Sequence, residues 1–516
     1  MTPAWERIGL PAGEVAAVAL LGVLVLAARD LRFLVRQPLW FDETWVAVST
    51  RAPLGSLHRV TSATPLGWTF LLRLVPGDGQ YLRVVPLVFA IAAAGAAWWF
   101  GRELLMPRFV AVLCGVAVAI APALLVRIEL KQYTAEAFFA VLMLVMIARL
   151  ENQWSNRRLA LMAGLIPFGM LFAHAIVFVG AATFGALALE TTVTRRWRQL
   201  RDLCLAGAAA AVPAAVIYLV IDRPHVNPKV TAFWAAAFPP PHSGLSDLLE
   251  FARRQLQPIA PYLGTRNTTL LGLLMLLGVA ILVSRKRYAL AAVFPFTVLS
   301  VLAASAARKY PFGDQRTSTF MMAMAAVLIA VGVGGVLDIL RRRVSPVVAL
   351  VGFVAVLVVW FSAASPFFRS RVITPEDVRA QVQYVNEHRQ PGDVVVVGMS
   401  AAWGHAFYNR ELTPSFHYSD DLGMGFIPTH PDTPWLIELT GRTKADVQTA
   451  LAQAREQVGP DGGRVWIIRS HLFPPEQRAW DEALAGTDTV PIPVGPDPLL
   501  VHRPWSARRV PTTPGS

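Results

Sequence analysis

This chain of 516 residues is short of charge: 16% of its residues are charged and 54% are hydrophobic. Soluble globular domains carry about a quarter charged residues, so the shortage excludes an ordinary soluble domain over most of the length. Cysteine is scarcer still. Cys114 and Cys204 are the only two, both inside apolar stretches, which argues against a disulfide framework and leaves the redox compartment unread. No CxxC, HExxH or other dense metal-ligand motif is present. Acidic residues are outnumbered, 34 against 47 Lys+Arg, for a net charge of +13. No basic face with interleaved aromatics accompanies that excess, which argues against a nucleic-acid partner.

What the chain has instead is apolar runs. About eleven read as membrane spans. They lie near 13–28, 82–100, 108–126, 133–149, 158–172, 173–189, 202–221, 268–284, 288–305, 318–339 and 345–364. The fifth and sixth meet at a tight turn around Phe172–His174. The first follows Glu6 and Arg7 and contains Glu14, so it reads as a retained signal-anchor helix rather than a cleaved leader.

Loop charge sets an expected orientation. Alternate connections hold Arg102 and Arg108, then Arg149, Arg157 and Arg158, then "RRWRQLR" at 195–201, "RKR" at 285–287 and "RRR" at 341–343. The positive-inside rule places these in the cytoplasm. The long loops 29–81 and 222–267 and the turns near 127–132 and 306–317 then face outward, with the N-terminus inside. From Ser365 the composition changes. "TPEDVRAQVQYVNEHRQPGDVVVVGMS" predicts a helix, a Pro-Gly turn and a buried strand; "TKADVQTALAQAREQV" with "GGRVWIIRS" repeats that order, and "LLVHRP" predicts another strand. Residues 366–516 therefore read as a small α/β extracytoplasmic domain beside a transmembrane module over 1–365.

Several stretches concentrate polar chemistry at the outer boundary. "PLWFDETWVAVST" at 38–50 sets Asp42 and Glu43 among aromatics. Asp42 reads as a helix N-cap with Glu43 in the first turn, and equally as a catalytic pair. "VRIELKQYTAEAFFAV" at 126–141 gathers Arg127, Glu129, Lys131, Tyr133 and Glu136. A charge near the bilayer centre costs about 2.5–3.5 kcal/mol, so this turn belongs in the interface or a wet cavity. Arg127 reads as a snorkelling helix end; Glu136, a turn deeper, does not. "ARKYPFGDQRTSTF" at 307–320 clusters Arg308, Lys309 and Arg316 on the side where cations are disfavoured. An anionic partner explains them, a phosphate or a lipid head group. Segments such as "SATPLGWTFLLRLV" at 62–75 and "LLEFARRQLQPIAPYLG" in the loop 222–267 read as amphipathic interfacial helices. His174 reads as a hydrogen-bonded core or interfacial histidine, and His58 as a candidate by position. The histidines of the C-terminal domain show no ligand spacing. Asp420 and Asp421 in "YSDDLGMGF" read as a solvated turn.

In "PLWFDETWVAV", "IELKQYTAEAFFAV" and "KYPFGDQRTSTF", in this order and on this topology, the chain resembles the GT-C membrane glycosyltransferases over about residues 10–365. The similar branch is that of protein O-mannosyltransferases, lipid A aminoarabinose transferases and actinobacterial arabinosyltransferases. The resemblance implies a mainly α, GT-C-like polytopic bundle. It also implies sugar transfer from a polyprenyl-phosphate donor to an acceptor in the cell envelope (glycan, lipid or protein) on the outer side of the plasma membrane. Asp42 would be the general base, with Glu43 supporting it. Lys131, Arg308, Lys309 and Arg316 would hold the donor phosphate, and Glu129, Tyr133, Glu136 and His58 would line the substrate site. Some members bind a divalent cation near the acidic pair, so a cation near Asp42 is one expectation among the cofactors and none is the other. A transporter or flippase of lipid-linked saccharide is the alternative; it should show paired charges deep in its spans and repeat symmetry.

Overall fold

The computed structural model describes residues 12–503, except 62, 63, 77, 78, 80, 128, 227, 372–375, 419–423 and 459–462. The "YSDDLGMGF" aspartates Asp420 and Asp421 lie outside the described residues. The chain divides into two units. One comprises Met1–Val35, Thr64–Val75 and Tyr81–Val372, the other Arg36–Ala63, Pro76–Gln80 and Ile373–Ser516.

The first unit is a helical bundle, and each apolar run of the sequence is found in a helix. In chain order these are Ala12–Ala27, Val84–Glu103, Arg108–Ala119, Tyr133–Asn152, Asn156–Met170, Ile176–Val193, Trp197–Ile217, Thr268–Ser284, Tyr288–Ala306, Thr319–Arg343 and Pro346–Ala364. In hydrocarbon every backbone N–H needs a partner within its own segment, and a helix provides that. Among the described residues, seven helices are long and apolar enough to cross a membrane; Ala12–Ala27, Arg108–Ala119 and Thr268–Ser284 are apolar but shorter. The starts follow local signals. Ser155 Oγ accepts from Arg158 N at 3.3 Å and Asn267 Oδ1 from Leu270 N at 3.0 Å, while Ser345 caps a helix with Pro346 at its first position.

The Thr319–Arg343 helix is the most enclosed. It touches Thr268–Ser284 through glycines, and a Cβ on Gly332 would lie 2.7 Å from the backbone nitrogen of Gly278. Van der Waals packing, not burial from water, holds helices together in lipid, so small residues set how close they come. At one end of this helix Asp338 carries Arg285 at 2.8 Å, Arg341 at 3.0 Å and Arg342 at 3.0 Å, tying together the "RKR" and "RRR" clusters. The amphipathic stretch at 62–75 forms the helix Leu66–Arg73, which buries Trp68, Thr69 and Leu72 and exposes Phe70 and Leu74. Trp68 donates its indole N–H to Leu130 O at 2.7 Å. In the second long loop, Leu245–Leu256 buries Phe251 and leaves Arg253 and Arg254 exposed.

The second unit contains helices α1 (Phe41–Ser49), α2 (Val378–His388), α3 (Ala402–Tyr408), α4 (Lys444–Val458) and α5 (Pro474–Leu484). Its strands are β1 (Val394–Val397), β2 (Ser415–Tyr418), β3 (Phe426–Thr429), β4 (Leu436–Glu438), β5 (Val465–Ile468), β6 (Thr489–Ile492) and β7 (Leu499–His502). The main sheet has the order β4-β1-β5-β7-β6, and β2 pairs with β3 apart from it. β1 is parallel to β4 and to β5, while β7 is antiparallel to β5 and β6. The unbroken "VVVV" of β1 and "VWII" of β5 are buried throughout, as expected of central strands covered on both faces. Val382 and Val385 of α2 pack on Val395, Trp466, Leu499 and Val501. The α/β pattern expected after Ser365 is therefore present, and the stretch 36–63 folds together with it.

Candidate functional site

The polar motifs fall on both units. In the bundle, the turn at 126–132 is laid between Pro122–Leu125 and Tyr133–Asn152. Arg127 is 9% and Lys131 8% exposed, so both cations are buried. Arg127 does not snorkel. Its Nη1 meets Glu129 Oε1 at 2.7 Å, and its guanidinium lies 6.0 Å from the centre of the Tyr133 ring. A partner two residues away removes the reason for the side chain to reach for water. Glu136, one turn into the helix, is 2% exposed and accepts from Gln132 Nε2 at 3.5 Å. His174 stands near enough to interact with its charge, and His174 Nε2 faces Asp222 Oδ1 at 3.5 Å.

The turn at 307–318 joins the same polar region. The Tyr310 ring packs on Phe178 at 4.7 Å and its hydroxyl donates to Thr317 O at 3.1 Å. Burial holds the Tyr310 phenol well above its ordinary range, and the nearby charges of Glu136, Tyr133 and Asp314 push it the same way. Asp314 Oδ1 accepts from the backbone N–H groups of Arg316 at 2.9 Å and Thr317 at 3.1 Å, fixing the bend. Phe312 N and Ser305 Oγ both donate to Ala237 O at 3.0 Å, which fastens this turn to the loop 222–267. Arg308 lies 5.5 Å over Phe238 and Arg316 5.3 Å over Trp234. Arg308 and Lys309 are exposed, and Arg316 is half-buried. Glu129, Lys131, Tyr133, Glu136, Arg308, Lys309 and Arg316 are thus all in the bundle, whereas Asp42, Glu43 and His58 are in the other unit.

The acidic pair is built differently from the sequence expectation. Asp42 is not the N-cap of α1. Trp40 is, with φ −83° and ψ 177°, and Asp42 and Glu43 occupy the first turn. The helix begins two residues early because Phe41 N–H, an orphan donor of that turn, is taken by Glu376 Oε2 at 2.8 Å. Glu376 Oε1 in turn meets His471 Nδ1 at 2.6 Å. The Phe41 ring stacks on the His471 ring at 4.4 Å and meets Trp403 edge-on at 5.5 Å. Glu43 is buried at 1% exposure and its Oε2 accepts from Trp40 N at 3.4 Å, so it caps its own helix. Asp42 is half-buried. His58 is exposed on the short 3₁₀ helix Leu54–Arg59.

Among the described residues, Asp42 and Glu43 belong to no group of three or more metal-ligating side chains close enough to share an ion. Glu43 is turned to its own helix start. Among the described residues, the one group of three or more His, Cys, Asp or Glu side chains close enough to share an ion is His405, His430 and Glu438. Neither that group nor the Glu376–His471 anchor left a signal in the sequence, because the residues come from separate elements with no fixed spacing.

No family model matches the chain. No curated protein matches it either. Solved structures do. The chain is similar to ArnT from Cupriavidus metallidurans in the apo state, at 14% identity over 94% of this chain and 97% of that one, with a TM-score of 0.55. The same protein bound to undecaprenyl phosphate gives 13% identity, 97% and 98% coverage and a TM-score of 0.52. The apo oligosaccharyltransferase of Archaeoglobus fulgidus gives 12%, 88% and 69%, and 0.51. The chain therefore has the fold that the GT-C resemblance implied, with a helical bundle and a small C-terminal sheet domain.

Proposed function

We propose that the protein transfers a sugar from a polyprenyl-phosphate donor to an acceptor on the outer side of the membrane, with inversion at the anomeric carbon. The observation that supports this most is the buried Arg127–Lys131 turn, set with Tyr133, Glu136 and Tyr310 at the ends of the bundle helices. This turn gathers buried charge at one end of the bundle, and the ArnT structure similar to this one along nearly its whole length holds undecaprenyl phosphate. In this reading the N-terminus is cytoplasmic and the sheet domain extracytoplasmic.

Chemically, inversion needs one base on the attacking face. Asp42 takes the proton of the acceptor group as its heteroatom attacks the anomeric carbon. The bond from that carbon to the phosphate oxygen breaks, and the lipid phosphate leaves with the electron pair. A phosphate needs no general acid, because cations stabilise the developing charge. Lys131, Arg308, Lys309 and Arg316 have that role. Glu43 fixes the turn that carries Asp42, and Glu129, Tyr133, Glu136 and His58 line the substrates. No step here uses a divalent cation beside Asp42.

The test is transfer by the reconstituted protein with polyprenyl-phosphate sugars. Asp42→Asn should lower turnover by about 10²–10⁴-fold, the usual contribution of a general base, with donor binding kept. Retained transfer sinks the base assignment. Movement of the lipid-linked sugar across the bilayer with no transfer by the unaltered protein favours a flippase.

A further inference from the structure

The sheet domain carries a polar cluster that sugar transfer does not use. His405 sits in α3, His430 directly follows β3, and Glu438 ends β4. All three are buried: His405 is 1% and His430 4% exposed, and the Glu438 side chain is 6% exposed. Both imidazoles turn Nδ1 toward a single carboxylate oxygen. His430 Nδ1 lies 2.8 Å and His405 Nδ1 3.6 Å from Glu438 Oε1.

We propose that His405, His430 and Glu438 form a site for one zinc-class divalent cation, bound through His405 Nδ1, His430 Nδ1 and Glu438 Oε1. Two imidazoles and a carboxylate are a recognised zinc set, leaving one position for water. Zinc–ligand distances near 2.0–2.1 Å place tetrahedral ligand atoms about 3.3 Å apart. The observed 2.8 and 3.6 Å bracket that spacing, and one ligand atom from each residue lies within 4.8 Å of the others.

The surroundings hold the ligands as a metal site requires. Glu438 Oε2 accepts the backbone N–H of His430, which pins the carboxylate and leaves Oε1 facing the rings. Asn409 Nδ2 lies 3.3 Å from His405 Nε2, and a half-turn of the amide exchanges it with Oδ1. With its oxygen turned to that nitrogen it accepts the Nε2 proton and leaves Nδ1 with a lone pair for a metal. His405 Nδ1 is buried and has no hydrogen-bond partner among the described residues. A buried unpaired nitrogen is costly, and a cation in this position would satisfy it. A hydrogen bond to Glu438 Oε1 accounts for His430 Nδ1 at 2.8 Å, but not for His405 Nδ1, which at 3.6 Å is aimed at the same oxygen beyond hydrogen-bond reach.

The placement gives the ion a mechanical role. It would tie α3 and the end of β3 to β4, the edge strand of the main sheet. The same α3 supplies Trp403, against which Phe41 packs, and Ala406, whose carbonyl accepts from Arg51 Nη1. Fixing α3 therefore fixes the seat of α1.

The test uses the full chain in detergent, stripped with a chelator and titrated with Zn²⁺ alone and with Co²⁺ alone. One equivalent per chain should bind, Co²⁺ should give the visible bands of a tetrahedral nitrogen–oxygen site, and Zn²⁺ should raise the melting temperature. His430→Gln and Glu438→Gln should each weaken binding by about 100-fold or more, since even groups that only orient a ligand give 10–100-fold. Asp42→Asn should bind as the unaltered protein does. The proposal is overturned if the unaltered protein binds no stoichiometric metal, whatever the variants do. Binding that survives in both Gln variants, or is lost in Asp42→Asn, also overturns it.

Discussion

Glu376→Ala tests how the acidic loop is held. Glu376 is 9% exposed and accepts from Phe41 N at 2.8 Å. Removing a charged acceptor forfeits about 1.5–3 kcal/mol, and a buried N–H left unpaired costs about 1–3 kcal/mol, two views of much the same loss. His471 also loses its partner at 2.6 Å, which adds roughly 1 kcal/mol for a pair that is mostly buried. The sum is about 3 kcal/mol against the first turn of α1. The Phe41 stack on His471 and its edge contact with Trp403 persist, so α1 should stay docked and fray at its start. Hydrogen exchange reads this directly. At 1.4 kcal/mol per tenfold, the amides of Phe41, Glu43 and Thr44 should exchange roughly 100-fold faster, while β1 and β5 keep their rates. Glu376→Gln retains an oxygen for Phe41 N–H, so it should show a much smaller change, about tenfold or less. If Glu376→Ala leaves exchange across 38–50 unchanged, this carboxylate does not hold the turn and the account of why α1 starts at Phe41 is wrong.

The helices were legible because composition alone dictates them. An apolar run in lipid has one way to satisfy its backbone, so each run became a helix even where, as in Val84–Glu103, the apolar residues show no preferred face. The number of crossings was less legible: among the described residues, length and apolarity together single out seven helices, where the apolar runs read as about eleven spans. In the sheet domain, "VVVV", "VWII" and "LLVH" announced buried strands, but their pairing did not follow from local pattern. The site motifs were legible as charge in the wrong place. Lys131 and Glu136 stood out by the cost of burying them, and the fold buries both. Partners far along the chain were invisible. Glu376 meets a backbone donor 335 positions away, and no local rule links them. The same blindness put the cap on Asp42, the best capping residue nearby, when a remote carboxylate had already taken Phe41 N–H. His405, His430 and Glu438 were passed over because ligand spacing is a property of motifs, and these residues meet only through the fold.

Three further outcomes follow. Arg316→Ala should raise the donor KM about tenfold or more, the worth of a charged contact, and leave the acceptor KM within about twofold; equal effects on both would count against a phosphate role. Gly332→Val should lower stability by about 1–3 kcal/mol through overpacking, seen as a lower melting temperature, because its Cβ would meet Gly278 at 2.7 Å. Gly272→Ala, with nothing within 4 Å, is its control, and equal melting of both variants would refute the close approach. Asp393→Asn concerns the sheet domain. Burial alone would raise this carboxyl, but it accepts from Gln390 N at 2.9 Å, Trp466 Nε1 at 3.0 Å and Arg464 N at 2.8 Å, with Arg464 Nη2 at 2.9 Å, and these hold it below the usual carboxylate range. A depressed carboxyl contributes stability that is complete above its unfolded value, about 3.9, and disappears as pH falls through the folded value. The variant should therefore be about 2–3 kcal/mol less stable at neutral pH, and the gap should close as the pH falls below about 4. Trp466, stacked by Arg464 at 4.7 Å, is a fluorescent reporter inside the affected core. A gap that stays constant from neutral to acid would mean that Asp393 acts through shape alone, since only its charge changes over that interval.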